Sequence, residues 1–131
     1  MDKIKQLFLL ALSSLTLYSA AAVYEKTVFA EWGKPSINVF YVLPEEVNDQ
    51  TEILFIIHGN SRNADGYIEV WANHAKDKNI ILIAPEFSRS KFSNYNTLQM
   101  SSSTGKILKN RDLYLNNSID IMFNHYKNLF G

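Results

Sequence analysis

The sequence predicts an α/β fold in which a mostly parallel sheet of about four strands carries helices on both faces. Residues 53–57 form an unbroken apolar run, ILFII, without the polar alternation of a strand that has one face in water. Apolar residues then recur at helical spacing over residues 64–78, and a second apolar run, IILIA, occupies residues 80–84 before Pro85. Strand, helix and strand in this order predict a βαβ unit, whose two strands are parallel and whose crossover is right-handed.

Two further strands are expected before this unit. Residues 27–30 are a short apolar stretch, and residues 37–43 are rich in β-branched and aromatic side chains. Gly33 and Pro35 lie between the two stretches and mark a turn, because both residue types interrupt regular structure. The two strands are therefore expected to pair with each other.

A long loop and a helix are expected after the βαβ unit. Residues 86–109 show no periodicity, and a loop of that length in a small domain is most often functional or disordered. Residues 110–130 predict a helix, with Gly131 at its C-cap. The predicted apolar face of this helix comprises Leu115, Ile119, Met122, Phe123, Tyr126 and Phe130.

Composition and charge exclude several classes of function. With 131 residues, of which 47% are hydrophobic and 20% charged, the chain is expected to form a single globular domain. Its formal net charge is zero, and no basic cluster follows the N-terminus, so no nucleic-acid partner is expected. It contains no cysteine, and its His, Asp and Glu residues show no metal-ligand spacing. We therefore expect no disulfide, no metal and no cofactor.

The N-terminal segment, residues 1–22, has the three-part pattern of a secretory signal peptide. Lys3 and Lys5 form a basic start, residues 7–18 are mostly apolar, and residues 19–22 are small. The apolar stretch is shorter than the roughly 20 residues that a bilayer span needs. We expect cleavage after this segment and export of residues 23–131, the alternative being a membrane anchor formed by an uncleaved signal.

The residues that follow the two core strands are the candidate site, because ligands of open parallel sheets bind beyond the carboxyl ends of the strands. The first of these strands is followed by residues 58–63, HGNSRN, and its neighbour is followed by Glu86 and Phe87. Gly59 would let the backbone pass close to a ligand, and the N–H groups after it can bind an anionic oxygen at the start of a helix. An oxyanion hole needs such preorganised donors.

The run ILFIIHGNSRNADGYIEVWANHAKDKNIILIAPEFS resembles the strand 3, oxyanion loop, first helix and strand 4 of the α/β-hydrolase superfamily. It is most similar to secreted esterases related to polyhydroxyalkanoate depolymerases and feruloyl esterases. The His58-Gly59 pair, the polar bend of residues 60–67 and the Ala84-Pro85 pair match the motifs of that family. The resemblance implies a partial α/β-hydrolase fold formed by residues 23–131.

The resemblance also implies a role for individual residues. The backbone N–H of Asn60, assisted by Ser61, would be one donor of the oxyanion hole. His58 would be a structural residue at the strand end, because this superfamily supplies its catalytic histidine near the C-terminus. The residues expected to line the site are His58, Gly59, Arg62, Asn63, Glu86 and Phe87, and the stretch of residues 86–92 would form another wall of it.

The chain departs from the superfamily at the nucleophile. The superfamily carries its nucleophile on a G-x-S-x-G elbow, followed by an acid and then a histidine, and this sequence contains no such motif. Residues 59–63, GNSRN, lack the second glycine and follow the wrong strand. His74 and His125 lie alone on predicted helices and are not expected to be catalytic.

The sequence therefore favours the N-terminal half of a secreted serine esterase, ending before the elbow and inactive alone. If completed, such an enzyme would act on a small-molecule ester or acyl substrate, whose identity the residues leave open. The alternatives are a non-catalytic exported binding or interaction module, which keeps the Asn60 loop as an anion pocket, and a membrane-anchored interaction protein.

The strand order that the resemblance implies is 1-2-4-3-5, and without a fifth strand residues 53–57 would form an unpaired apolar edge. Such an edge favours aggregation. We therefore expect self-association through this edge, which begins with Ile53 and ends with Ile57.

Overall fold

The computed structural model describes residues 23–102, 104–109 and 112–131. The expected signal peptide, residues 1–22, lies outside this part of the chain. Within the described residues, no helix is long and apolar enough to cross a membrane.

Four strands and two α-helices make up the described fold. The strands are β1 (Glu25–Phe29), β2 (Ile37–Val42), β3 (Glu52–Phe55) and β4 (Ile80–Glu86), and the helices are α1 (Ala64–Asp77) and α2 (Ser118–Phe130). Two short 3₁₀ turns, Tyr95–Thr97 and Tyr114–Asn117, lie between β4 and α2.

The strands form one mixed sheet in the order β1-β2-β4-β3. This order agrees with the one that the resemblance implies, but the prediction of a mostly parallel sheet is wrong. The pairs β1–β2 and β2–β4 are antiparallel, and only β3 and β4 are parallel. For consecutive strands the connection explains the direction: a short turn joins β1 to β2, whereas a helix, α1, joins β3 to β4 and provides the long crossover that a parallel pair needs.

Strand β3 lies at the edge of the sheet. Its apolar sequence predicted a strand covered on both faces, and this prediction is wrong. Its side chains alternate between exposed and half-buried, and Leu54 is 42% exposed. Ile57, two residues beyond the end of the strand, is 43% exposed. Its one neighbour among the described strands is β4. An apolar run therefore marked a sheet edge here and not a buried centre.

Strand β4 continues through Pro85 to Glu86, two residues beyond the predicted end. Pro85 is opposite Val39 of β2, whereas on the other side the last residue of β3, Phe55, is opposite Ile83. Pro85 thus has a strand neighbour on one side only, a place where a missing N–H is tolerated within a sheet.

Each face of the sheet carries its own core, so the prediction of helices on both faces is confirmed. Helix α1 covers one face with Ala64, Ile68, Ala72 and Ala75, which pack against Phe40, Val42, Leu82 and Ala84. Helix α2 and the preceding loop cover the other face, and the buried members of that core are Phe29, Ile37, Val39, Ile81, Ile83, Phe87, Phe92, Leu115, Met122 and Tyr126.

Helix α2 is shorter than the predicted helix over residues 110–130. It begins at Ser118, and the preceding turn at residues 114–117 is a 3₁₀ helix. Its buried side chains are Ser118, Met122 and Tyr126, which are spaced four residues apart and so lie in one row along the helix. Phe123 lies off this row and is 39% exposed, so its placement on the buried face was wrong.

Candidate functional site

A tight turn leads from β3 into α1. The Arg62 N–H donates to the Gly59 carbonyl over 3.2 Å, which places Asn60 and Ser61 at the two central positions of the turn. Arg62 closes the turn with φ 62°, a left-handed conformation that costs a non-glycine residue on the order of 1 kcal/mol. Because α1 begins at Ala64, the turn lies at the N-terminus of the helix, where partial positive charge accumulates.

His58 fixes this loop to the end of β4. The Phe87 N–H donates to Nε2 over 2.9 Å, so Nε2 carries no proton, and Nδ1 donates to the Gly59 carbonyl, also over 2.9 Å. The side chain is 2% exposed, and this burial lowers the pKa of His58 below its ordinary value, with the positive charge of Arg62 acting in the same direction. Both ring nitrogens of the neutral imidazole are thus engaged within the protein.

The resemblance placed Arg62 at the mouth of the site, but the residue lies beneath the segment of residues 87–96. Its side chain is 7% exposed. Nη1 donates to the Phe87 and Phe92 carbonyls and Nη2 to Asn96 Oδ1, while the guanidinium lies 4.5 Å from the centre of the Tyr95 ring. Burial lowers the pKa of Arg62, and repulsion by Arg89 adds to this, but an arginine stays protonated at neutral pH.

Asn60 and Ser61 are exposed. The side chain and carbonyl of Asn60 accept hydrogen bonds within the protein, whereas the backbone N–H groups of both residues do not donate one to any described residue. Asn96 Nδ2 donates to Asn60 Oδ1 over 2.9 Å, and Arg89 Nη2 donates to the Asn60 carbonyl over 2.7 Å. The backbone N–H groups of Asn60 and Ser61 donate to no acceptor in the described part of the chain. Two successive N–H groups in a fixed turn can bind one anionic oxygen.

The remaining predicted site residues surround this turn at different depths. Glu86 is half-buried, and its Oε2 accepts a hydrogen bond of 2.7 Å from Asn38. Phe87 is buried and stacks on Tyr95 with 5.0 Å between ring centres, so it belongs to the core. Asn63 is exposed directly before α1, and its carbonyl accepts from the Tyr67 N–H.

Gly59 is exposed, and packing within the chain does not require a glycine there. A Cβ atom at this position would lie 3.9 Å from the Tyr67 hydroxyl, an ordinary contact distance. A small side chain would therefore be tolerated at this position, in contact with Tyr67.

A mostly apolar cleft of about 230 Å³ opens beside the end of β3. Its lining residues are Ile57, Phe87, Tyr95, Asn96, Leu98, Leu115, Ser118 and Ile119. Asn96 connects this cleft to the turn, since it also donates to Asn60. A larger cavity, of about 650 Å³, lies at the other end of β3, between residues 47–51 and the C-terminal end of α2.

Arg89, Tyr95 and Asn96 contact the turn and its supports. Arg89 belongs to the stretch of residues 86–92 that the resemblance implied as another wall of the site, whereas Tyr95 and Asn96 were not predicted as site residues. They lie in the non-periodic loop of residues 86–109, where no spacing rule predicts the position of a side chain. The only available signal was the presence of cationic and aromatic residues in an unusually long loop. No group of three or more His, Asp and Glu side chains that could hold a metal occurs among the described residues.

The fold is similar to those of two bacterial hydrolases. Poly(aspartic acid) hydrolase-1 from Sphingomonas sp. KT-1 matches with a TM-score of 0.67 and 29% sequence identity over 82% of this chain. A poly(3-hydroxybutyrate) depolymerase from Bordetella parapertussis matches with a TM-score of 0.54 and 17% identity over 65% of it. The chain spans 42% and 31% of the length of these two proteins.

No protein-family profile matches the chain, and none of the curated proteins matches it in sequence. The assignment to a class of protein therefore depends on structural similarity, which establishes a hydrolase-related fold.

Proposed function

We propose that this chain is the N-terminal part of a serine-type α/β hydrolase and supplies the oxyanion-binding loop of its active site. The observation that carries the proposal is the pair of unengaged N–H groups at Asn60 and Ser61, held in a tight turn between β3 and the start of α1. The similarity to two hydrolases, each covered only in part, supports the assignment of the fold to this class.

The proposed chemistry is stabilisation of a tetrahedral oxyanion. When a nucleophile attacks an acyl carbon, the carbonyl oxygen becomes negative, and donors that are already in position bind it without further reorganisation. His58 and Arg62 supply that rigidity, because they join the turn to Phe87, Phe92 and Asn96 through side-chain hydrogen bonds. The positive end of the α1 dipole favours the same negative charge.

The chain alone is proposed to be inactive towards acyl substrates. The sequence contains no G-x-S-x-G elbow, and the ring nitrogens of His58 are both occupied by protein atoms. The similar proteins are named as hydrolases of poly(aspartic acid) and of poly(3-hydroxybutyrate). We propose an ester or amide of a carboxylic acid as the substrate class.

The coding sequence downstream of codon 131 is the first test. We expect a G-x-S-x-G elbow followed by an Asp or Glu and then a His, in this frame or after a frame interruption. The longer product should hydrolyse p-nitrophenyl acetate, whereas the 131-residue chain should not. Absence of an elbow in every frame, or hydrolysis by the short chain, would contradict the proposal.

Substitution of Asn60 tests the backbone donor itself. In the longer product, Asn60→Pro removes the N–H, and proline fits the first central position of a β-turn. We expect kcat to fall by about 10²–10³, the usual effect of losing one oxyanion donor. Asn60→Ala is the matched control, because it removes the side chain and its bond to Asn96 but keeps the N–H. Equal losses in both variants would refute the assignment of the donor.

The short chain allows a second test by NMR. Inorganic phosphate added to the ¹⁵N-labelled 131-residue chain should shift the amide signals of Asn60 and Ser61 more than those of β1 and β2. A response without an elbow downstream would favour the non-catalytic binding module instead.

Export is the remaining part of the proposal. It rests on the signal-peptide pattern of residues 1–22. N-terminal sequencing of the protein from its host should find a mature chain that starts at residue 23. A chain that retains residues 1–22 and sediments with membranes would favour the anchored alternative.

A further inference from the structure

Two guanidinium groups lie at the Asn60 turn without an acidic partner. The salt bridges among the described residues join Lys34 to Asp112 and His125 to Glu31, and neither involves Arg62 or Arg89. Glu86, at the end of β4, binds Asn38 instead, and Asp65, in the first turn of α1, takes part in neither salt bridge. A buried arginine is normally paired with a carboxylate, so the absence of one here is unusual.

The two arginines are close enough to affect each other. Repulsion by Arg89 contributes to the lowered pKa of Arg62, after the larger effect of burial. Arg62 is held in place by carbonyl and amide oxygens, which are neutral, so its charge is not cancelled. Arg62 and Arg89 therefore place two positive charges at the turn, and Asp65 and Glu86 are the acidic side chains closest to these arginines in the sequence.

Arg89 is the accessible member of the pair. It is exposed, and one of its five N–H donors binds the Asn60 carbonyl over 2.7 Å. Its other donors bind no oxygen in the part of the chain that the structure describes. A guanidinium with a free edge binds a carboxylate through two parallel hydrogen bonds.

We propose that the site is selective for an anionic acyl substrate, one that carries a carboxylate next to the ester or amide that reacts. Arg89 binds this carboxylate, while the N–H groups of Asn60 and Ser61 bind the oxygen of the reacting carbonyl. This inference rests on the proposed function and deepens it. A neutral polyester gains nothing from the two positive charges, whereas a chain of carboxylates is attracted by both.

The test compares two blocked tetrapeptides, acetyl-(Asp)₄-amide and acetyl-(Asn)₄-amide, titrated into the ¹⁵N-labelled 131-residue chain at pH 7 and constant ionic strength. We expect the aspartate peptide to bind at least tenfold tighter, with signal shifts at Arg89, Asn60 and Ser61. This preference should weaken as NaCl is raised, because exposed charges are screened.

Three variants locate the source of the preference. Arg89→Gln should reduce the preference to less than threefold, and Arg89→Lys should retain part of it, since it keeps the charge but not the fork. Lys78→Gln is the matched control, because it removes one exposed charge at the opposite end of the sheet, between the end of α1 and the start of β4. It should leave the preference unchanged, and an unchanged amide spectrum elsewhere confirms that each variant is folded.

The outcomes separate this inference from the proposed function. Equal affinity for the two peptides, or a preference that survives in Arg89→Gln, overturns the anionic substrate but leaves the phosphate response of the Asn60 and Ser61 amides as support for the oxyanion loop. A preference for the aspartate peptide with no shift of those two amides by phosphate supports the anionic site and contradicts the oxyanion role.

Discussion

Replacing Arg62 with methionine should detach the segment of residues 87–96 from the turn. The guanidinium binds the Phe87 and Phe92 carbonyls, and hydrogen bonds from a charged donor contribute about 1.5–3 kcal/mol each. The bond to Asn96 lies nearer to solvent and adds little. Methionine fills similar space without the cost of burying a charge, which offsets part of the loss. We expect the free energy of opening this segment to fall by about 3 kcal/mol.

Amide hydrogen exchange measures this opening locally. The Phe87 N–H binds His58 and the Phe92 N–H binds the Ser88 carbonyl over 2.8 Å, so both are protected while the segment is closed. A loss of 3 kcal/mol accelerates their exchange by about 10²-fold, at 1.4 kcal/mol for each factor of ten. The ladder amides of β2 and β4 should change much less.

Arg89→Met is the control for this experiment. It removes a charge and one hydrogen bond to the same turn, but from an exposed side chain, and should accelerate exchange less than about threefold. If Arg62→Met leaves Phe87 and Phe92 protected, or if every strand loses protection equally, the assignment of Arg62 as a local clamp is refuted.

Three further predictions concern stability and association. Burial holds the folded-state pKa of His58 below its unfolded value of about 6.5, so the neutral imidazole stabilises the fold above pH 6.5, and this stabilisation is lost as the pH falls below that value. The free energy of unfolding in urea should therefore vary less between pH 7.5 and 5 for His58→Gln than for the wild type. Equal variation in the two proteins would contradict this. The buried Tyr126 hydroxyl, whose pKa burial raises to about 12, has no hydrogen-bond partner among the described residues. Tyr126→Phe should therefore raise the free energy of unfolding by about 1 kcal/mol in the same assay. A lower free energy of unfolding would show that the hydroxyl has a partner. We propose that the β3 edge mediates self-association, which should appear in sedimentation velocity as a sedimentation coefficient that rises with concentration. Leu54→Lys, at an exposed position of this edge, should shift the chain towards monomer. A wild-type chain that stays monomeric at all concentrations would rule out the self-association.

The βαβ unit could be predicted from the sequence because its signals are local. The helical spacing that predicted residues 64–78 corresponds to α1 within one residue, since Ala64, Ile68, Ala72 and Ala75 all face the core. The strand at residues 80–84 was equally clear from its apolar run. Hydrophobic period is therefore a sufficient guide where a segment packs along its whole length.

Strand direction could not be read in the same way, and the edge position of β3 was expected from the strand order of the resemblance and not from the apolar run itself. An apolar run has the same appearance in a central strand and in an edge strand, and only pairing distinguishes them. The exposure of Leu54 and Ile57, and the antiparallel pairing of β2 with β4, depend on contacts between residues far apart in the chain. Phe87 and Phe92 illustrate the same point, because they lie in a loop without periodicity and yet belong to the core.

The buried position of Arg62 is the feature of the candidate site that differs from expectation, because the resemblance placed this residue at the mouth of the site. His58 and Arg62 have side chains suited to proton transfer or anion binding, but both are buried. Both ring nitrogens of His58 and both terminal nitrogens of Arg62 bind loop atoms, and the buried Arg62 Nε has no partner among the described residues. The groups left free are the backbone N–H groups of Asn60 and Ser61, which the resemblance implied as donors and which no property of their side chains could have indicated. The reactive-looking side chains thus have a structural use, because they hold those amides in one conformation. A substitution at either residue should accordingly act on the site through the geometry of the turn, whereas the removal of a single N–H at Asn60 acts on it directly.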